Sequence, residues 1–350
     1  MKKKWIALLL TLSFLLGGCT IVVPVPETVP TVRETRSADG ELTVWYVDVG
    51  QADCALLCSR GEYMLIDGGN VEDGSLVVSF LDSLGVEKLK AVVCSHAHED
   101  HVGGLAAVLA VFPVEAVYAP TRTYSSRCFD DFMYYVNQQD LTVNIPDPGD
   151  SFSLGNTDIT VLGPIKSYPD TNNTSIVLRA DCGRVGFLFT GDMERDAETD
   201  LLDSGADLSA QVLKVGHHGS STSTGYRFLY EVDPTYTVIS VGKDNSYGHP
   251  HEETMSRLQN QGSVIFRTDS LGTVRADCDG ETVEFTWENQ SRNPQGAERA
   301  MEEIYIGNRN SRIFHAGDCS YLPGEKNQVL FDTYEEAIDA GYTPHAGCLG

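Results

Sequence analysis

Ser95-His96-Ala97-His98-Glu99-Asp100-His101-Val102-Gly103-Gly104 is the stretch on which the reading of this chain turns. It follows Ala91-Val92-Val93-Cys94, a short buried-type strand, and precedes an apolar run, Gly103 to Phe112, with helical spacing. Three imidazoles and the Asp100 carboxylate in one strand-to-helix loop are costly to bury and are good ligands for zinc and its neighbours. In extended chain, residues two apart turn to the same side, so His96 and His98 are expected to share one ion. As the chain turns into the helix, Asp100 and His101 are expected to face a second.

Two later stretches supply the pieces such a loop lacks. Thr190-Gly191-Asp192 follows the apolar strand Val185–Phe189, and Val215-Gly216-His217-His218-Gly219-Ser220 follows the strand run Gln211–Val215. A carboxylate at a strand end can bridge two cations, and one late His can complete the second site. Around them, strand-like runs recur at 42–47, 54–58, 63–66, 116–119, 141–145, 159–162, 176–180, 236–241, 264–267 and 283–287. Residues 75–84, 197–202 and 252–259 read as helices. Strands separated by helices in two successive sets predict a layered α/β protein with two sheets.

The chain has 350 residues and is 41% hydrophobic, enough for a sizeable core and more than one domain. Asp and Glu total 50 against 25 Lys and Arg, a net charge of −25. That excludes binding of bare nucleic acid through a broad basic surface. It does not exclude a polyanion that meets metal ions in a local cleft.

The whole set resembles the metallo-β-lactamase fold superfamily, with its His-x-His-x-Asp-His signature. More narrowly, it resembles the domain attached to ComEC-type DNA-uptake proteins and its free-standing secreted relatives. The segments that carry the likeness are Asp48-Val49-Gly50-Gln51-Ala52-Asp53, Leu65-Ile66-Asp67-Gly68-Gly69, Ser95–Gly104, Asn172-Asn173-Thr174-Ser175, Thr190-Gly191-Asp192, His217-His218-Gly219-Ser220 and Tyr247-Gly248-His249-Pro250. The resemblance implies an αββα four-layer sandwich with the metals at the edge between the sheets. It implies His96 and His98 on metal one, Asp100 and His101 on metal two, and Asp192 bridging. His218 is expected to finish metal two, leaving His217 to contact substrate. Asp67 is expected to orient the metal loop from behind, and His249, with Tyr247, to stabilise or protonate a leaving oxygen. Many relatives place a third His on metal one; here no His lies between His101 and His217. An Asn carbonyl of the Asn172-Asn173 segment or water is expected to stand in, with zinc the first and manganese the second choice of metal.

The N-terminus sets the compartment. Lys2-Lys3-Lys4, the apolar run Trp5–Leu16 and Gly17-Gly18-Cys19 resemble a bacterial lipoprotein signal, cleaved before Cys19 with a lipid on that residue. The expected organisation is a signal peptide at 1–18, a Pro-containing tether at 19–40, the metallo-β-lactamase-type domain at 41–287, a polar linker at 288–301 and a small α+β module at 302–350. In that module His315-x3-Cys319 and His345-x2-Cys348 read as a structural zinc site, with a Cys319–Cys348 disulfide as the alternative. It resembles an Ada-type metal-binding domain with His345 where Cys is usual.

The expected protein is therefore exported and lipid-anchored at the outer face of a bacterial cell membrane. It carries two catalytic divalent ions and one structural zinc. The expected activity is that of a phosphodiesterase or nuclease working through a metal-bridged hydroxide, with Asp100, His217 and His249 in catalytic roles. Its substrate is DNA, RNA, or a wall or lipid phosphodiester. The alternatives are a non-catalytic binder of DNA or wall polymer, and a β-lactamase-type amide hydrolase. The oligomeric state is left open.

Overall fold

Strict alternation in the first strand sets the layers. Leu42, Val44 and Tyr46 point into one apolar core, while Trp45 between them packs on the other face. The computed structural model describes residues 42–289, 305–315, 319, 322–331, 334–345 and 348–349. The expected signal peptide, Cys19, the tether and most of the 288–301 linker lie outside the described residues.

In chain order the first fifteen strands are β1 Leu42–Tyr46, β2 Ala55–Ser59, β3 Glu62–Ile66, β4 Leu89–Val93, β5 Val114–Tyr118, β6 Val143–Asn144, β7 Ser151–Leu154, β8 Thr157–Gly163, β9 Val177–Cys182, β10 Val185–Phe189, β11 Val212–Lys214, β12 Tyr236–Ile239, β13 Val264–Arg267, β14 Val274–Cys278 and β15 Val283–Trp287. The helices among them are α1 Gly74–Ser83, α2 Glu99–Val102, α3 Leu105–Val111, α4 Arg127–Gln138, α5 Arg195–Asp203, α6 Tyr226–Val232, α7 Glu252–Asn260 and α8 Thr268–Leu271. One sheet runs β15-β14-β1-β2-β3-β4-β5-β6 and the other β13-β12-β11-β10-β9-β8-β7.

The two sheets face each other across a core that includes Leu57, Met64, Val93, Ile159, Phe187 and Phe189. The outer face of the first sheet is covered by α1, α3 and α4 through Val77, Leu81, Leu105, Val108, Phe129 and Phe132. The outer face of the second is covered by α5, α6 and α7 through Leu201, Phe228, Leu229 and Leu258. The order is helix, sheet, sheet, helix, the expected αββα sandwich. Strands β3, β4 and β5 are mutually parallel, as are β10, β11, β12 and β13. The loops after β3, β4, β10, β11 and β12 therefore leave carboxyl ends of parallel strands, where open α/β sheets bind ligands.

The structure adds elements that the sequence reading left unnamed. Helix α4 buries Cys128, Phe129, Phe132 and Val136, and Ser126 caps it by accepting from Phe129 N–H at 3.3 Å. Helix α6 is built from Tyr226, Phe228, Leu229 and Val232. Its aromatic and β-branched composition favours strand locally, and packing overrides that preference. Strands β7 and β14 were also missed, and the run expected at 141–145 pairs only at Val143–Asn144. The helix expected from Gly103 starts at Glu99 and breaks at Gly103-Gly104. A Cβ on Gly104 would collide with the Gly68 carbonyl, so that pair of glycines lets the metal loop lie against the β3 loop.

The C-terminal part forms its own four-stranded sheet, β18-β16-β17-β19, from β16 Tyr305–Asn308, β17 Ile313–His315, β18 Gln328–Phe331 and β19 Thr343–Pro344. Helix α9, Tyr334–Asp339, packs on it. Its small core of Tyr305, Phe314, Phe331, Tyr334 and Tyr342 continues into Tyr226 and Tyr230 of α6. Among the described residues no helix is long and apolar enough to cross a membrane.

Candidate metal centre

Four side chains from three different loops converge at the strand ends. Asp100, His101, Asp192 and His218 each place one donor atom within 4.8 Å of the others. His101 Nε2 lies 3.3 Å from Asp192 Oδ1, and His218 Nε2 lies 3.2 Å from Asp100 Oδ2 and 3.7 Å from Asp192 Oδ2. All but Asp100 are buried.

The rings are aimed from behind. His101 Nδ1 donates to Asp67 Oδ2 at 2.8 Å, and Asp67 also accepts from the Ser95 N–H and hydroxyl at 2.7 Å each. This turns His101 Nε2 toward Asp192. His218 Nδ1 lies 3.0 Å from the Ser240 carbonyl and 3.1 Å from Asp53 Oδ1, which turns its Nε2 toward Asp100 and Asp192. Asp53 is in turn held by the buried Lys214 ammonium at 2.9 Å. The backbone of Asp67, His217 and His218 lies in the left-handed region, at φ 60°, 50° and 52°. Asp and His enter that region more readily than most non-glycine residues, and residues held there cluster at functional sites.

The residues fit divalent cations. His101 Nε2 and Asp192 Oδ1 are buried, face each other and have no hydrogen-bond partner, an arrangement that is costly unless something else engages them. Two imidazole nitrogens and two carboxylates make a donor set suited to zinc or manganese. Charge tells the same story. Burial disfavours the His218 cation, yet the Asp192 and Asp53 carboxylates carry its pKa up to about 10. Burial likewise opposes ionisation of Asp100, but His101 and His218 push its carboxyl down to about 2. The two carboxylates thus draw positive charge, here protons on the imidazoles, into the place that a divalent cation would take.

His96 and His98 stand beside this group as a pair, His96 Nε2 lying 3.0 Å from His98 Nδ1. Burial, followed by the field of His101, holds His96 well below the ordinary histidine range, so it is a neutral imidazole. Of the two asparagines offered for this position, Asn172 keeps a buried side-chain oxygen without a hydrogen-bond partner, whereas the Asn173 oxygen accepts the N–H groups of Glu194 and Ala197 at 3.0 and 3.3 Å. It serves the start of α5, where those backbone donors would otherwise be orphaned. Ser175 Oγ is 3.4 Å from His96 Nδ1 and accepts the Asp192 N–H at 3.0 Å.

His217 sits at the rim. It is 22% exposed, with Nε2 3.6 Å from Asp192 Oδ2 and Nδ1 3.3 Å from Glu194 Oε1. His218, not His217, therefore enters the four-residue group. The His249 ring lies 5.6 Å from the His217 ring and 6.4 Å from that of His218. Burial, then the nearby His217 and His218, push its pKa down to about 4. Tyr247 is 68% exposed and stacks on His249 at 5.6 Å.

The second group is separate. His315, Cys319, His345 and Cys348 also place donor atoms within 4.8 Å of one another. His315 Nδ1 is 3.3 Å from Cys319 Sγ, and His345 Nδ1 is 3.3 Å from Cys348 Sγ. Among the described residues no disulfide joins any of the cysteines, Cys319 and Cys348 included.

Comparison with known proteins identifies the family. The profile of the metallo-beta-lactamase superfamily matches residues 47–243. This chain belongs to the metallo-beta-lactamase superfamily. Within the superfamily it is 29% identical over 258 residues to ComE operon protein 3 of Bacillus subtilis, covering 68% of this chain and 33% of that protein. It is 32% identical over 253 residues to competence protein ComA of Neisseria gonorrhoeae, covering 71% of this chain and 33% of that one. The match thus spans about a third of the length of these curated relatives. The metallo-beta-lactamase fold protein YhfI of Bacillus subtilis superimposes with a TM-score of 0.46 at 15% identity, covering 70% of this chain and all of that one.

Several residues of the site went unassigned in the sequence. Asp53 lies in a segment that carried the family likeness but was given no role, and Glu194 follows the bridging Asp192 by two positions. Lys214 left a usable trace, a single Lys inside the apolar strand β11. A lysine is almost never fully buried without a partner, so such a position announces a carboxylate.

Proposed function

We propose that this chain is a metal-dependent phosphodiesterase, with nucleic acid as its first-choice substrate, acting at the outer face of a bacterial cell membrane. The observation that carries the reading is the convergence of Asp100, His101, Asp192 and His218, with His101 Nε2 and Asp192 Oδ1 buried, facing each other and without a hydrogen-bond partner. A pure capture site has no need of this second, fully formed group beside the His96–His98 pair. When bound, two divalent cations supply Lewis acidity for a phosphodiester oxygen and activate water at neutral pH.

The protein's own groups do the rest. His96 and His98 would hold one cation, and Asp100, His101 and His218 the other. Asp192 would be shared between them; its Oδ1 faces His101 and its Oδ2 faces His217 and His218. Asp67 and Asp53 keep the imidazoles in place. His217, gripped by Glu194 and partly exposed, is placed to touch a substrate oxygen. His249 is neutral at physiological pH and offers a hydrogen bond at the cleft edge. The overall negative charge repels a polyanion at a distance, but the potential in the cleft is set by the local cations. The relative named as a competence protein favours a nucleic acid among the phosphodiesters. In the C-terminal module, His315, Cys319, His345 and Cys348 would hold a structural zinc.

Hydrolysis of bis(p-nitrophenyl) phosphate with zinc or manganese tests the reading. Turnover that depends on metal and disappears in Asp100→Ala/His101→Ala supports it. Absence of turnover from protein shown to carry metal overturns it, in favour of polymer capture or an amide substrate. Anchoring through Cys19 is tested by fatty-acid labelling, which Cys19→Ala should abolish.

A further inference from the structure

Gln51 has no part in the mechanism above, yet its side chain spans the cleft between the two sheets. Its Oε1 accepts the backbone N–H of Gly242 at 3.0 Å, and its Nε2 lies 3.3 Å from His249 Nδ1. The first contact decides the second. A backbone N–H can only donate, so the amide oxygen must face Gly242 and the NH2 must face His249. An amide NH2 has no acceptor to offer. His249 Nδ1 must therefore accept, and in a neutral imidazole the proton then resides on Nε2.

The surroundings hold this arrangement in register. The Gly242 backbone comes so close that a Cβ there would stand 2.6 Å from the Gln51 backbone nitrogen. Asn245 clamps the His249 backbone, accepting its N–H at 3.0 Å and donating to its carbonyl at 2.6 Å. Tyr247 and His251 pack on the ring at 5.6 and 4.7 Å. The neighbouring His251 follows the same logic: Ser221 N–H donates to its Nδ1 at 2.9 Å, leaving its Nε2 for the Tyr247 carbonyl at 3.3 Å.

We propose that Gln51 is a positioning residue that locks His249 in the Nε2–H tautomer, so that His249 meets an oxygen of the substrate as a neutral hydrogen-bond donor. Nε2 lies on the flank of the ring away from Gln51. With Nδ1 engaged and Nε2 protonated, His249 has no site from which to act as a base. Its contribution is stabilisation of charge that develops on an oxygen. The role toward substrate rests on the phosphodiesterase reading; the tautomer does not.

Long-range 1H–15N NMR of the zinc-loaded protein, with the His249 signals identified by their loss in His249→Gln, reads the tautomer directly. The expected spectrum has an unprotonated Nδ1 and a protonated Nε2. In Gln51→Glu one carboxylate oxygen still accepts from Gly242 and the other demands a proton from Nδ1. The His249 pattern should then change to a protonated Nδ1, and kcat for bis(p-nitrophenyl) phosphate should fall ~10²-fold with KM little changed. A protonated Nδ1 in the unmodified protein overturns the proposal, as does a Gln51→Glu spectrum identical to the wild type. If Gln51→Glu fails to fold, the wild-type spectrum still decides. Loss of the phosphodiesterase reading would show separately, as absence of turnover in the unmodified protein.

Discussion

The sandwich group and the C-terminal group each gather four donors within 4.8 Å, but they are built on opposite plans. In the sandwich the donors come from loops of both sheets, and each of its two imidazoles is backed by a buried carboxylate, Asp67 or Asp53. A buried ammonium, Lys214, steadies that layer, and one ligand, Asp100, remains 31% exposed. The C-terminal group has no carboxylate. Its two thiols and two imidazoles lie against one another on one small sheet. An open, charge-rich site backed by a second layer is suited to chemistry on an anion. A closed site of soft donors is suited to cross-linking a module whose core is too small to stand alone.

The sharpest way to break this contrast is to remove the thiols. Cys319→Ser/Cys348→Ser should lose one metal equivalent by elemental analysis, and with it stabilisation on the order of 10 kcal/mol for the C-terminal module. Amide exchange across 305–345 should rise while phosphodiester turnover persists. Equal loss of turnover would mean that the two groups do not work separately. On the other side, Asp192→Asn should reduce kcat/KM on the order of 10³-fold and leave the C-terminal metal in place.

Next in size is the backing layer. Asp53→Asn strands the buried Lys214 ammonium and should cost about 3–5 kcal/mol in denaturant unfolding, with zinc affinity at the open site weakened ~10–100-fold. Asp53→Asn/Lys214→Met should recover most of the stability but not the affinity. Recovery of both would show that Asp53 does not aim His218.

The smallest effect lies at the seam between the regions. Glu198 on α5 receives the N–H groups of Thr224 and Gly225, at the start of α6, whose tyrosines join the C-terminal core. Burial raises its pKa from 4.5 to about 7, against the opposing pull of those N–H groups and of Arg195. The native state then binds more protons than the unfolded chain between those values. Its contribution is full below pH 4.5 and is lost as pH rises through 7, by at most about 3 kcal/mol. Glu198→Gln should flatten stability over that window. An unchanged pH profile would mean that Glu198 is ionised throughout and held by its donors.

The site and the fold were legible to different depths. His96, His98, Asp100 and His101 could be read because their spacing lies within one loop, and Asp192 and His218 because each ends a recognisable strand. The sheets showed themselves through alternation in segments such as β1 and β10. Helices α4 and α6 did not, since their aromatic residues favour strand locally and only packing against the sheets imposes the helix. Which of the two asparagines is engaged elsewhere was hidden for a related reason: Asn172 Oδ1 is buried without a hydrogen-bond partner, whereas Asn173 is taken up. Asn173 has another claim on it, from the backbone of α5, and that claim is not visible in the segment itself.

By itself the sequence determined which residue types stand at which strand ends, and hence the family and the set of donors. Periodicity and ligand spacing are local, so a linear chain displays them. The tertiary structure alone decided which His of the His217–His218 pair turns inward, which carboxylate supports it and which way the His249 ring is protonated. Those choices depend on partners such as Gln51 and His249, 198 residues apart, that meet only when two sheets close on each other. A buried polar atom must find a partner wherever the fold supplies one, and sequence distance does not enter that requirement.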